Sequence, residues 1–491
     1  MTFIRGIAVE NDKRDYKKEN KELKEEIGNL QRRVKDAGFP VLILFDGWES
    51  SGKGFMVNEL ITEMDPRIFK IKVYEEATED EKRKPFLWRF WQGIPSKGSI
   101  HIYIHSYYKN IMSGNRLGKP IAYDDVKDIE LFEKQLVNDG TLIIKFFLEV
   151  SKKNQEDRVK KLASSKYTDF RVTENDWDQI KRRKEYKAMF SEILSITDYE
   201  QSHWNIISTD KKQKAINEML TTVKKMIEKR LENGIGEKEA TPETHTEYIM
   251  RESNVLGSVD LSKKLETEEY QDRLGKLQLE AKEVAYALYT KRIPSIIVFE
   301  GWDAAGKGGA IKRLTQEMDP RGYEVIPISA PDSTEKQYNY MWRFYKHMPK
   351  TGHMTIFDRS WYGRVMVERV ENLVSAGDYM RAFDEINSNE KHVANFGTLI
   401  IKFFIHIDKD EQLRRFNDRE EDPDKNYKLT DEDWRNRDKW DIYKEAIEEM
   451  LARTNTPYAP WVIVEGNDKY YARIKVIETF LKMAREKLNK A

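Results

Sequence analysis

Apolar residues in this chain are gathered into short runs, separated by long charged stretches of helical period. Val41-Leu42-Ile43-Leu44-Phe45 follows a charged segment, residues 12–36, in which Leu23, Ile27, Leu30 and Val34 recur at helical spacing. A helix feeding a buried strand is predicted there. The arrangement returns later as a helix near Glu269–Tyr289 followed by the run Ser295-Ile296-Ile297-Val298-Phe299. Further strands are predicted at Glu324–Ile328, Met354–Phe357, Thr398–Ile407 and Trp461–Val464, with helical patterns between them. Short apolar strands alternating with helices predict an α/β fold whose parallel sheet is covered on both faces. Residues 233–257 carry Gly-Ile-Gly, Thr-Pro-Glu-Thr and Leu-Gly-Ser without any period, and are expected to form a linker.

The pattern returns because the sequence does. Gly47-Trp48-Glu49-Ser50-Ser51-Gly52-Lys53-Gly54-Phe55 recurs as Gly301-Trp302-Asp303-Ala304-Ala305-Gly306-Lys307-Gly308-Gly309, a spacing of 254 residues. Asp65-Pro66-Arg67 and Trp88-Arg89-Phe90 recur at the same spacing, as Asp319-Pro320-Arg321 and Trp342-Arg343-Phe344. The block Gly140 to Phe147 returns as Gly397 to Phe404 at a spacing of 257, shared by Asp176-Trp177 with Asp433-Trp434 and by Trp204 with Trp461. A repeat of about 200 residues is a domain, so two are expected, at 1–232 and 258–491.

Composition narrows the partners. Lys+Arg and Asp+Glu balance at 85 each, so no global field for nucleic acid is expected and any polyanion site must be local. The 491 residues include no cysteine, which excludes disulfides, thiolate chemistry and Cys-based zinc sites and fits a reducing compartment. The apolar runs are of strand length, far short of a membrane span, and the amino terminus lacks a signal-peptide hydrophobic region. A cytoplasmic protein without membrane partners is expected. The eight histidines show no metal-ligand spacing, and His347, His353, His392 and His406 are expected to be packing or surface residues.

Chemistry concentrates in the second copy. A strand, then Gly301-x-x-x-x-Gly306-Lys307, then a helix starting near Gly309, is the setting of a phosphate-binding loop. Backbone N–H groups and the helix N-terminus would hold a phosphate, and Lys307 would add a point charge. Gly301, Ala305, Gly306, Lys307, Gly308 and Gly309 are the expected phosphate-binding residues. Gly308 stands where a Ser or Thr usually ligates Mg²⁺. Asp303 inside the loop and Asp358 at the end of its strand are the candidate metal carboxylates in its place; a loop-capping role is the competing reading of Asp303. Arg359 and Arg364, in Asp358-Arg359-Ser360-Trp361-Tyr362-Gly363-Arg364, are candidates to neutralise phosphoryl charge, with structural ion pairs as the alternative. Between the fourth and fifth strands, Arg414, Arg415, Arg419, Lys425 and Lys428 mark either a closing lid or a solvated helix face. Arg419 is the favoured lid residue.

Together with Asp433 to Trp440-Asp441-x-Tyr443 and Thr456-Pro457-Tyr458-Ala459-Pro460-Trp461, these motifs resemble the second family of polyphosphate kinases over almost the whole second copy. The tandem layout is similar to the two-domain polyphosphate:AMP phosphotransferases of that family. The resemblance implies tandem P-loop kinase-like domains with a helical lid, Mg²⁺ as cofactor, and transfer of the terminal phosphoryl group of polyphosphate to AMP. Its catalytic residues would fall on Asp303, Lys307, Asp358, Arg359, Arg364 and Arg419. Gly363 departs from the family's usual asparagine. Inorganic polyphosphate and AMP are the implied partners, with a homodimer as a candidate assembly. Three rival readings stand: a polyphosphate–ADP enzyme making ATP, an ATP-dependent thymidylate-kinase-like enzyme, and a non-catalytic polyphosphate- or nucleotide-binding regulator. In the first copy Glu49, Ile104, His105, Asn110, Asp157 and Leu162 replace Asp303, Asp358, Arg359, Arg364, Arg414 and Arg419. That copy is expected to be structural, or an aid in holding polyphosphate.

Overall fold

A computed structural model describes residues 15–233, 254–424 and 426–490. The chain divides into two compact units; the second includes the segment Ala77–Gln92 as well as the second repeat. Most of the expected linker lies outside the described residues.

Each unit is built on one five-stranded parallel sheet. The first holds β1 (Val41–Gly47), β2 (Phe69–Val73), β3 (Ile100–Ile104), β4 (Leu142–Glu149) and β5 (Trp204–Ser208). The second holds β6 (Ser295–Gly301), β7 (Tyr323–Pro327), β8 (Met354–Asp358), β9 (Leu399–His406) and β10 (Trp461–Glu465). The strand orders, β2-β3-β1-β4-β5 and β7-β8-β6-β9-β10, are the same. The expected α/β class and tandem plan therefore hold, with strand ends moved by a residue or two. The central strands are buried along nearly their whole length, as parallel strands covered by helices on both faces must be. Among the described residues no helix is long and apolar enough to cross a membrane.

Register decides what meets at the carboxyl ends of the strands. Phe299 of β6 lies beside Asp358 of β8, so the last residue of one strand stands next to the loop that leaves the other. Gly301, at φ +145°, makes the exit possible: a β-carbon there would stand 2.4 Å from the Ile405 carbonyl oxygen on β9. The loop helix then begins at Lys307, two residues earlier than expected, because Gly306 turns the chain at φ +107°.

A buried ionic cluster braces this edge from below. The Lys402 ammonium on β9 donates to Tyr362 Oη at 2.7 Å, to Glu390 at 2.8 Å and to the Thr454 carbonyl at 2.8 Å. Glu390 also accepts from Tyr362 Oη at 2.6 Å and Trp361 Nε1 at 3.1 Å, which fixes the segment after Asp358. The first unit has the same arrangement in Lys145, Glu133 and Tyr108. Removing one partner of such a pair leaves a buried charge uncompensated, so Lys402→Met is expected to cost about 3 kcal/mol or more. Urea unfolding should show that loss as a lower midpoint at unchanged slope.

Candidate active site

The second unit has a cleft of about 570 Å³ at the carboxyl edge of its sheet. Its floor is the phosphate loop, Asp303 through Gly309, and its wall includes Asp358, Arg359 and Arg419. The opposite side is formed by Thr430, Glu432, Asp433 and Asn436, around the start of the helix Asp431–Asp438. The structure thus brings together Asp303, Ala305, Gly306, Lys307, Gly308, Gly309, Asp358, Arg359 and Arg419. Gly301 is absent from the lining, and its close approach to β9 accounts for it structurally.

Lys307 folds back over the loop, donating to the carbonyls of Gly301 at 2.7 Å and Trp302 at 3.1 Å. Burial, and then the neighbouring Arg359 guanidinium, hold its ammonium pKa below that of an ordinary lysine. Below the loop, Glu300 is buried and accepts from Ser360 Oγ at 2.8 Å; burial raises its pKa despite that bond. Trp302 stacks on Trp440 with ring centres 3.6 Å apart and donates to His406 Nδ1 at 2.9 Å. His406 is a packing residue, its pKa lowered by burial to about 4.

The two carboxylates differ. Asp303 accepts from Arg359 Nη2 at 3.0 Å through one oxygen and from Asn436 Nδ2 at 2.9 Å through the other. The Asp358 side chain makes no hydrogen bond to the described residues, and its Oδ2 lies 3.9 Å from where a β-carbon at Gly308 would stand. Arg359 reaches into the cleft from a left-handed backbone, φ +65°, a conformation rare for a side-chain-bearing residue.

The remaining arginines have separate places. Arg419 lines the cleft without a hydrogen-bond partner among the described residues. Arg414 is on an exposed face, paired with Glu411 and Asp418. Arg415 is buried behind the loop rather than over it. Its guanidinium donates to the carbonyls of Ala304, Ala305, Gly466 and Asn467 and to Glu411, clamping the loop to the end of β10. Its lid role is therefore replaced by a loop-holding one. The repeat already held that signal: Arg158, its counterpart 257 residues earlier, survives where Arg414 and Arg419 do not. Arg158 makes the same contacts, to Ser50, Ser51 and Thr209 carbonyls. Arg364 is not brought to the cleft; it lies over the Tyr340 ring at 4.3 Å and pairs with Glu368 at 2.7 Å. Lys425 and the side chain of Lys428 lie outside the described residues. Asn436 went unrecognised in the sequence, although it sits within the motif running from Asp433 to Trp440.

The equivalent loop in the first unit keeps the lysine's bonds to two backbone carbonyls and adds an ion pair. Lys53 donates to the Trp48 carbonyl at 2.9 Å and pairs with Glu49 at 3.4 Å. Ser50 Oγ donates to Asp176 at 2.7 Å, Asn175 to Glu49 at 3.0 Å, and the Glu49 N–H to Gln179 at 2.8 Å. Ile104 ends β3 where Asp358 ends β8.

The family model described as polyphosphate kinase 2 matches residues 10–234 and again 264–491. A polyphosphate:AMP phosphotransferase of Pseudomonas aeruginosa is 37% identical over 480 residues, covering 95% of each chain. One from Pseudomonas syringae pv. tomato is 37% identical over 452 residues, covering 89% of each. Among solved structures, a Pseudomonas aeruginosa protein assigned to polyphosphate kinase 2 superposes with a TM-score of 0.86 at 33% identity, over 99% of this chain and 98% of that one.

Proposed function

The chain belongs to the polyphosphate kinase 2 family, and from that premise we propose that its second repeat transfers the terminal phosphoryl group of inorganic polyphosphate to AMP, giving ADP. The observation that carries this reading is the cleft itself: Asp358, a carboxylate with no hydrogen-bond partner among the described residues, faces a loop lysine and two arginines over a helix start suited to phosphate.

Family membership implies a divalent metal, which we take to be Mg²⁺, and the donor set fits it. Asp358 offers a hard oxygen ligand beside Gly308, and Asp303 would join it by releasing Arg359 or Asn436. Among the described residues no group of three or more carboxylates or histidines is ready-made for an ion, so water and phosphate oxygens would complete its shell. Bound there, the ion would offset phosphate charge.

The protein's own work is placement and charge. The loop N–H groups and Lys307 hold the terminal phosphate, and Arg359 and Arg419 converge on it from the wall. An anionic oxygen of the AMP phosphate attacks the terminal phosphorus in line, so no general base is needed and no covalent enzyme intermediate forms. The bond from that phosphorus to the bridging oxygen breaks. Its electron pair stays on the shortened chain as an anionic oxygen.

Incubating the protein with AMP, polyphosphate and Mg²⁺, with no ATP, is expected to give ADP while the polyphosphate shortens. Formation of ADP only when ATP is supplied would favour the thymidylate-kinase-like reading. Polyphosphate binding with no ADP would favour a regulator, and a faster rate with ADP as acceptor would reverse the assignment of AMP.

A further inference from the structure

Arg473, in the second turn of the helix Lys469–Lys490, is a guanidinium placed against the phosphate loop with no carboxylate partner among the described residues. Its Nη2 and Nε lie 3.6 and 3.9 Å from the point where a β-carbon at Gly309 would stand. Gly309 itself lines the cleft, and Arg473 stands next to it just outside that lining. The equivalent point at Gly308 is 3.9 Å from Asp358 Oδ2, so successive residues of one helical turn face a carboxylate on one side and an arginine on the other. Among the described residues Arg473 makes one hydrogen bond, a long one of 3.4 Å to Tyr270 Oη, and no ion pair. A half-buried arginine so weakly satisfied is well placed to receive an anion.

The repeat supplies an independent observation. At the spacing of 257, Arg473 corresponds to Ile216, which is buried, and at 254 Gly309 corresponds to Phe55. Their neighbours persist, since Tyr270 matches Tyr16, Lys469 matches Lys212 and Arg415 matches Arg158. Arg473 was therefore lost with Asp358, Arg359 and Arg419, whereas these neighbours were kept. The structural arginines divide, Arg415 being kept as Arg158 and Arg364 becoming Asn110, so the pattern accords with a site role for Arg473 and the geometry carries it.

Charge gives the direction. On the lid side of the cleft Arg419 stands with the carboxylates Glu432 and Asp433, which offset its charge. The Gly309 side carries a cation. We infer that Arg473 binds an internal phosphate of the polyphosphate donor, next to the terminal phosphate that is transferred, and so fixes the side on which the donor chain leaves the cleft. This rests on the donor and acceptor assigned above.

Steady-state kinetics of Arg473→Ala, Arg473→Lys and Tyr270→Phe, on the full chain with AMP and long-chain polyphosphate, test it. Loss of one charge-assisted contact should raise KM for polyphosphate about 10-fold or more in Arg473→Ala, with KM for AMP and the thermal midpoint unchanged. Arg473→Lys should recover part of that loss, and Tyr270→Phe should match the unsubstituted protein. An unchanged polyphosphate KM in Arg473→Ala would overturn the inference. So would a Tyr270→Phe variant that reproduced the defect, because Arg473 would then act only by packing the two helices. Failure of the unsubstituted protein to make ADP would instead remove the underlying assignment.

Discussion

Asp358→Asn is expected to lower kcat for ADP formation by about 10³-fold or more, an activation cost of roughly 4 kcal/mol. The change is nearly isosteric, so the fold should be untouched. Asp358 has no hydrogen bond to the described residues that the amide could break, and its strand is fixed on both sides by β6 and β7. What is removed is a negative hard oxygen donor beside Gly308, where no Ser or Thr hydroxyl can substitute. The expected signature is a loss that excess Mg²⁺ does not restore, with an unchanged thermal midpoint. Turnover within a few-fold of the unsubstituted protein would remove Asp358 from the mechanism.

Lys307→Ala is expected to lower kcat by a similar factor, about 10³-fold, whereas Lys53→Ala leaves it within about threefold. The two lysines occupy equivalent places in equivalent loops, so composition and motif alone make no distinction between them. Their surroundings do. Lys307 faces a cleft containing Arg359 and Arg419, while Lys53 is already paired with Glu49 in a loop tied down by Ser50, Asn175 and Gln179. Measured side by side, equal losses would mean that the first repeat takes part in turnover. The pH profile adds a check with a definite sign. Because the pKa of Lys307 is lowered, its positive charge is lost at lower pH than in a free lysine. The alkaline limb of kcat/KM should therefore fall earlier than an ordinary lysine would predict.

Much of this was legible in the sequence because it rests on pattern. The repeat, the parallel strands and the phosphate loop follow from spacing and from runs of β-branched and aromatic residues. Asp358 could be placed because a strand-terminal residue in a parallel sheet must emerge at the edge where ligands bind. Long side chains were harder, since their reach depends on partners remote in sequence. Arg415 reads as one of several lid arginines until its guanidinium is seen satisfied by four backbone carbonyls. Arg364 reads as a phosphate ligand until Tyr340 and Glu368 are seen to occupy it. Asn436 and Glu300 gave no warning, because an amide or carboxylate inside a charged helix or at a strand end is ordinary until its neighbour is known.

The backbone turn at Arg359 has a consequence beyond the present site. His105, its counterpart, keeps the same left-handed conformation, at φ +57° against +65°. A strained turn that persists after its side chain has changed belongs to the inheritance of the fold rather than to the reaction. The first repeat thus keeps the backbone of this turn while Ile104, His105 and Leu162 stand in place of Asp358, Arg359 and Arg419. Should Lys53→Ala leave turnover unchanged as expected, the difference between the two repeats would be a matter of side chains on a shared backbone, closer to a reversible substitution than to a ruin.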